Sequence, residues 1–183
     1  EQEGEHIRGY IFVAADGAND PADILALVAA HEREQVPMVL GCRTSIPENR
    51  PLMGANYVLA NRAFGMLCGI LTGRMFADLG PLRLIERELF QELNLCEWTY
   101  GWTIEAQVRA ALLGAAILEI PARERPRLAG TQKVSRVSWH RTLLIGCRIA
   151  AAGFRTRMRA ARVLSPGPEP AVEPPLAARP AEQ

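Results

Sequence analysis

Two stretches of this chain place charged side chains where a sheet could present them to a ligand. In Ile11-Phe12-Val13-Ala14-Ala15-Asp16-Gly17-Ala18-Asn19-Asp20-Pro21, an apolar strand runs into an acidic turn and a helix opens at once. A carboxylate in that position, Asp16, can meet a divalent cation or cap the amides of its own turn. In Met38-Val39-Leu40-Gly41-Cys42-Arg43, a second short apolar strand ends on an arginine. A guanidinium at that edge can take a phosphate bidentately or form an ordinary salt bridge. Further along, Asp78 and Arg83 sit in one Asp-Leu-Gly-Pro-Leu-Arg segment, and a structural Asp–Arg pair is one reading of them. Glu105 falls in the first turn of a helix, where an acid is favourable in any case. Arg127 and Lys133 flank Gly130 in a basic loop.

The elements that position these residues follow from local signals. Tyr10 to Ala14 reads as a buried strand. Asp20 is an N-cap, Pro21 a first helical residue and Asp23 an acid near the positive helix end, and the helix stops before Pro37. Met38 to Cys42 is the next strand. Strand, helix, strand is a crossover pattern and predicts a mostly parallel sheet in an α/β fold. Residues 44–54 read as a polar loop, Asn56 to Leu71 as a helix, and 76–86 as irregular then strand. Arg87 to Leu93 and Ile104 to Leu113 read as helices, the second stopped by Gly114, and Ala116 to Pro121 as a strand. Trp139 to Leu164 reads as one or two basic helices with a break near Gly153. Residues 165–183, rich in Pro, Ala and Glu, lack the apolar content to pack.

The 183 residues suffice for one domain with a hydrophobic core, and the net charge of +1 says nothing about nucleic acid. RNA binding on charge alone lacks a stacking surface or a recognition motif, so no nucleic-acid partner is expected. Four cysteines, at 42, 68, 96 and 147, show no metal-ligand spacing and read as reduced and buried. No apolar run is long enough for a membrane span, and no signal peptide is visible. The stretch from Trp139 to Arg162 holds no acid and alternates apolar residues with arginines, which suits either an anionic membrane surface or a packed helix with a basic outer face.

Several islands together resemble the inverting, family-2 glycosyltransferases of the GT-A fold, closest to the dolichyl- and polyprenyl-phosphate sugar synthases. They are Ala15-Asp16-Gly17, Leu40-Gly41-Cys42-Arg43, Asn61-Arg62, Asp78-Leu79-Gly80-Pro81-Leu82-Arg83, Gly101-Trp102-Thr103-Ile104-Glu105, Glu119-Ile120-Pro121, and the 127–135 stretch with Gly130 and Lys133. The resemblance spans roughly residues 8 to 150. The family's Asp-Ala-Asp motif falls on Ala14-Ala15-Asp16, so its first acid is absent, and its serine before the lysine falls on Gln132.

The resemblance implies a partial GT-A (Rossmann-like) domain over residues 1–138, whose nucleotide-binding half would precede Glu1. It is followed by a basic amphipathic helical segment over 139–164 and a disordered Pro/Ala-rich tail over 165–183. It implies sugar transfer from a UDP- or GDP-sugar to a polyprenyl (dolichyl-like) phosphate, with Asp16 holding Mg²⁺ or Mn²⁺. Arg127 and Lys133 would bind the donor diphosphate, Arg43 and Arg83 the acceptor phosphate, and Asp78 and Glu105 would be catalytic. Trp102 reads as packing rather than sugar stacking. The expected partners are the nucleotide sugar, the lipid phosphate and an anionic membrane surface, with a homo-oligomer possible. The expected location is the cytoplasm, peripheral to the cytoplasmic membrane face. A non-catalytic relative serving as scaffold, or a transferase with a non-lipid acceptor, are the alternative functions.

Overall fold

A computed structural model of the chain describes residues 7–99, 101–126 and 139–164. Ten labelled elements follow one another: β1 (Gly9–Phe12), α1 (Pro21–Glu34), β2 (Met38–Cys42), α2 (Arg50–Met53), α3 (Ala55–Thr72), β3 (Arg83–Glu86), α4 (Arg87–Leu93), α5 (Trp102–Leu112), β4 (Ile117–Pro121) and α6 (Trp139–Leu164). The expected loop after β2 instead holds two short 3₁₀ turns, Arg43–Ser45 and Pro47–Asn49, and the single turn of α2. Helix α1 begins as its sequence predicts, with the Asp20 carboxylate accepting from the Ala22 amide at 3.0 Å. It ends two residues before Pro37, at Gln35, which takes a left-handed conformation.

The four strands stand in the order β1-β3-β2-β4. β2 pairs in parallel with β4, but β3 pairs antiparallel with both β1 and β2. The sheet is therefore mixed, which corrects the expectation of a mostly parallel one. The crossover reading holds for direction, since β1, β2 and β4 all run the same way, yet β3 is inserted between β1 and β2. Its direction follows from how the chain returns after α3. Thr44 Oγ1 donates to the Ala77 carbonyl at 2.9 Å, and Gly41 N donates to the Leu82 carbonyl at 2.9 Å. The 77–82 segment thus re-enters the sheet at the edge where β2 leaves it, and β3 must run back. No local pattern in the sequence encodes that return.

The sheet has helices on both faces. Val39 and Leu84 point to one side, where Leu27 and Ala30 of α1 meet them. Met38, Leu40 and Ile85 point to the other, where they pack with Cys68 and Leu71 of α3, Leu89 and Leu93 of α4, Ile104 and Val108 of α5, and Ala152 of α6. The alternation along β2, buried throughout, is that of a central strand filled from both sides.

Helix α6 runs unbroken through Gly153, contrary to the expected break. A Cβ at Gly153 would lie 3.1 Å from Ile104 Cδ1 and 3.2 Å from Leu71 Cδ1. The glycine lets α6 lie close against α3 and α5, and tertiary packing outweighs its poor helix propensity. Residues 165–183 lie outside the described residues.

Candidate active-site cleft

The ends of β1 and β2 open onto a cleft of about 240 Å³, lined among others by Asp16, Arg43, Tyr57, Thr103 and Glu124. Ligand sites of open α/β sheets lie at such strand ends. Asp16 sits in the turn after β1, with Gly17 at a φ of 74°. Its Oδ1 accepts from the Ala18 amide at 3.1 Å, so the turn-capping reading is correct while the side chain still lines the cleft.

The turn is locked against the chain that follows β4. Asn19 and Glu124 form an antiparallel bridge, and the Arg125 amide donates to the Ala18 carbonyl at 2.7 Å. Arg125 Nη2 donates to Asp20 Oδ2 at 2.6 Å. The Ala22 amide lowers the Asp20 pKa, with help from Arg125 and Arg123 and against the opposing effect of burial. Asn49 completes the clamp, donating to the carbonyls of Arg43 and Ala122, each at 2.8 Å, and accepting from the Glu124 amide at 2.9 Å.

Arg43 lies almost wholly buried between two acids. Its Nε donates to Asp78 Oδ2 at 2.8 Å, and its Nη2 donates to Asp78 Oδ1 at 3.0 Å and to the Tyr57 hydroxyl at 2.7 Å. Its Nη1 lies 3.6 Å from Glu124 Oε2. Burial alone would lower its pKa, but Asp78, Tyr57 and Glu124 reverse the sign and raise it. The guanidinium is a fixed cation whose Nη1 side remains the one directed at Glu124.

The other expected residues are placed differently. Asp78 is buried and spent on Arg43, also accepting from the Arg43 amide at 2.9 Å. It reaches a ligand only through Arg43. Arg83 is fully buried beneath Trp102, 5.1 Å from the ring centroid, and donates to the carbonyls of Gly80 and Thr103. Burial pulls its pKa down to about 10, with Asp78 opposing, so it stays charged at neutral pH. It holds the 78–83 loop and does not line the cleft. Glu105 is fully buried too, its Oε2 accepting from the amides of Cys96 at 2.9 Å and Glu97 at 2.7 Å. Its carboxylate pins the 96–97 chain and is not brought to the Asp16 cleft. Trp102 packs on Phe12, with ring centroids 4.7 Å apart, as its packing role requires. Arg127 and Lys133 lie outside the described residues.

Tyr57 and Glu124 are the cleft residues that the sequence did not single out. Tyr57 carried no signal beyond its place near the start of a helix. Glu124 was hidden as an isolated acid between arginines in a segment read for its positive charge. Burial raises the Glu124 pKa, Arg43 lowers it, and the charges of Asp16 and Asp78 add to the rise. Among the described residues, no three His, Cys, Asp or Glu side chains form a ready cation cage. A second depression, of about 390 Å³, lies between α6 and Glu97, Thr99 and Gly101, and none of the expected site residues lines it.

Three curated proteins match the chain, two from strains of Mycobacterium tuberculosis and one from Mycobacterium bovis, each called an uncharacterized glycosyltransferase. Each is 28% identical over 130 residues, covering 67% of this chain and 55% of the relative. The chain thus spans about half the length of the curated relatives it matches. No protein-family model matches, and no solved structure does. Over about two thirds of its length, the chain is similar to proteins named as glycosyltransferases.

Proposed function

We propose that this chain forms part of a glycosyltransferase, and that it transfers a sugar with inversion from a UDP- or GDP-sugar to a polyprenyl phosphate. The glycosyltransferase relatives support the reaction class. The observation that carries the reading is the meeting of Asp16 and the fixed Arg43 cation in one cleft at the strand ends.

The cleft's donor set fits a hard divalent cation. Two carboxylates, Asp16 and Glu124, line it, and a Mg²⁺ or Mn²⁺ ion held there would draw the rest of its oxygen ligands from water and phosphate. Asp16, aided by Glu124, would hold the ion, which would offset charge on the departing diphosphate. Arg43 would meet a phosphate on its Nη1 side, which faces Glu124 Oε2 at 3.6 Å, while Asp78 and Tyr57 hold the guanidinium so that it need not reorganise. Arg127 and Lys133 remain the sequence-based candidates for the diphosphate.

In the transfer, an acceptor phosphate oxygen attacks the anomeric carbon opposite the leaving group. The new C–O bond forms as the bond to the nucleoside diphosphate breaks, and the electron pair leaves with the diphosphate. Such an acceptor dispenses with a general base, because its second pKa of roughly 6 leaves it largely dianionic at neutral pH. This agrees with Asp78 and Glu105 both being committed to structural hydrogen bonds.

A hydroxyl acceptor is the second reading, and Glu124 favours it: a cleft carboxylate with a raised pKa is suited to taking a proton. Turnover with polyprenyl phosphate and none with sugar hydroxyls separates the two. The reading as a whole is tested by calorimetric titration of UDP-glucose and GDP-mannose into the full chain, with and without Mn²⁺. Metal-dependent binding that Asp16→Ala abolishes supports it. Binding of neither donor overturns the assignment of a donor site to this chain.

A further inference from the structure

The turn between β1 and α1 carries a further polar side chain in the cleft. Asn19 lies between Asp16 and the cap of α1, lines the cleft with Arg43 and Glu124, and is only 7% exposed. Its backbone is fixed by the antiparallel bridge to Glu124. Its side chain is held by one long contact, in which Oδ1 accepts from the Ala14 amide at 3.4 Å. That contact tells the two ends of the side chain apart, because the NH₂ end has no lone pair to offer Ala14. The Nδ2 donor is buried and has no hydrogen-bond partner among the described residues.

A buried amide donor without an acceptor is disfavoured, and folded chains keep few of them. The acids nearest in sequence serve other donors. Asp16 Oδ1 accepts from the Ala18 amide, Asp20 from the Ala22 amide and from Arg125, and Asp23 from the Arg123 amide. Asn61 also buries an unpartnered amide donor, but it does not line the cleft, and its Oδ1 accepts from the Leu79 amide at 3.3 Å. Asn19 thus combines a place in the cleft wall with a donor that the described chain leaves unmet.

We infer that Asn19 binds the sugar donor, its Nδ2 donating to a diphosphate oxygen. The inference rests on the reading of this cleft as the donor site. In that reading the diphosphate lies against the cation held by Asp16, and Asn19 is three residues further along the same locked turn. Hydrogen-bond chemistry selects the oxygen. Asn19 has a donor to give while its Oδ1 faces Ala14, and a phosphate oxygen takes donors alone, whereas a sugar hydroxyl also seeks an acceptor. A neutral amide suits the place, because a lysine or arginine there would compete with the cation for Asp16 and Glu124. The long contact to Ala14 lets the amide tip outward as the oxygen enters.

The test is calorimetric titration of UDP, GDP and their glucose and mannose conjugates into the full chain with Mn²⁺, and of Mn²⁺ alone. Asn19→Ala should weaken binding of the nucleotide diphosphate about tenfold or more, the loss of a hydrogen bond to a charged acceptor. Its affinity for Mn²⁺ alone should stay as in the wild type. Without ligand, Asn19→Ala should melt no lower than the wild type, since an unmet donor is removed. A residue that only supports the turn would lower the melting temperature instead. Asn19→Asp keeps the shape and turns a carboxylate toward the diphosphate, so it should bind nucleotide more weakly still. It serves as the second variant if the alanine chain misfolds. Nucleotide binding that Asp16→Ala abolishes and both Asn19 variants preserve overturns this inference and leaves the donor site standing. Loss confined to the sugar conjugates, with UDP and GDP bound as before, overturns it by moving Asn19 to a sugar hydroxyl. A wild type that binds neither nucleotide overturns the donor site and this inference together.

Discussion

Asp78 grips Arg43 with three hydrogen bonds: Nε to Oδ2 at 2.8 Å, Nη2 to Oδ1 at 3.0 Å, and the Arg43 amide to Oδ2 at 2.9 Å. The pair joins the end of β2 to the segment that enters β3, so it fixes the cation of the cleft and the return of the chain together.

Removing Asp78 strands a buried guanidinium. Asp78→Ala should cost about 3–5 kcal/mol in urea unfolding. Adding Arg43→Met to that variant should recover part of the loss, because no uncompensated charge is then left inside. A double variant no more stable than Asp78→Ala would show that the ion pair is not what the fold needs there.

Glu105 offers a contrast between structure and catalysis. Glu105→Ala leaves the Cys96 and Glu97 amides without their acceptor and Arg109 without its 3.3 Å partner. The expected loss is about 3 kcal/mol, with a smaller loss for Glu105→Gln, which keeps an acceptor oxygen. Donor binding measured well below the melting temperature should be unchanged in the glutamine variant. A binding defect without a stability defect would return Glu105 to the site.

Burial raises the pKa of Glu124 above its ordinary value of 4.5, with Arg43 opposing the rise. A raised carboxyl holds its proton more tightly folded than unfolded. Its contribution to stability is therefore full below the ordinary value and is lost as pH climbs through the raised one. Glu124→Gln, which cannot ionise, should melt above the wild type at neutral pH, and the difference should close below about pH 4. Equal melting temperatures at both ends of that window would mean that Arg43 compensates the charge completely.

Two glycines separate backbone from side-chain crowding. A Cβ on Gly65 would stand 1.9 Å from the Phe76 carbonyl oxygen, a backbone atom tied to the return segment. Gly65→Ala should lose about 3 kcal/mol or more. At Gly153 the nearest atoms are the mobile ends of Ile104 and Leu71, so crowding is offset by a helix-propensity gain of about 1 kcal/mol. Thermal melts of the two variants should differ widely.

By itself the sequence determined what acts within a turn or two. The Asp20-Pro21 start of α1, the bounds of β2 and the stop of α5 near Gly114 were all legible, because caps, proline and apolar runs act on their own neighbours. So was the presence of Asp16 and Arg43 at the ends of successive strands, since the crossover pattern sends both strands the same way. Only the tertiary structure decided the insertion of β3 between β1 and β2, and with it the partner of each charge. Arg43 met Asp78, 35 positions away, rather than facing open solvent, and Glu105 turned to the 96–97 amides. Tyr57 and Glu124 entered the cleft from elements whose local pattern carried no sign of it. Strand order and burial are settled by how whole faces pack, and a charged side chain takes the partner that packing brings within hydrogen-bond reach.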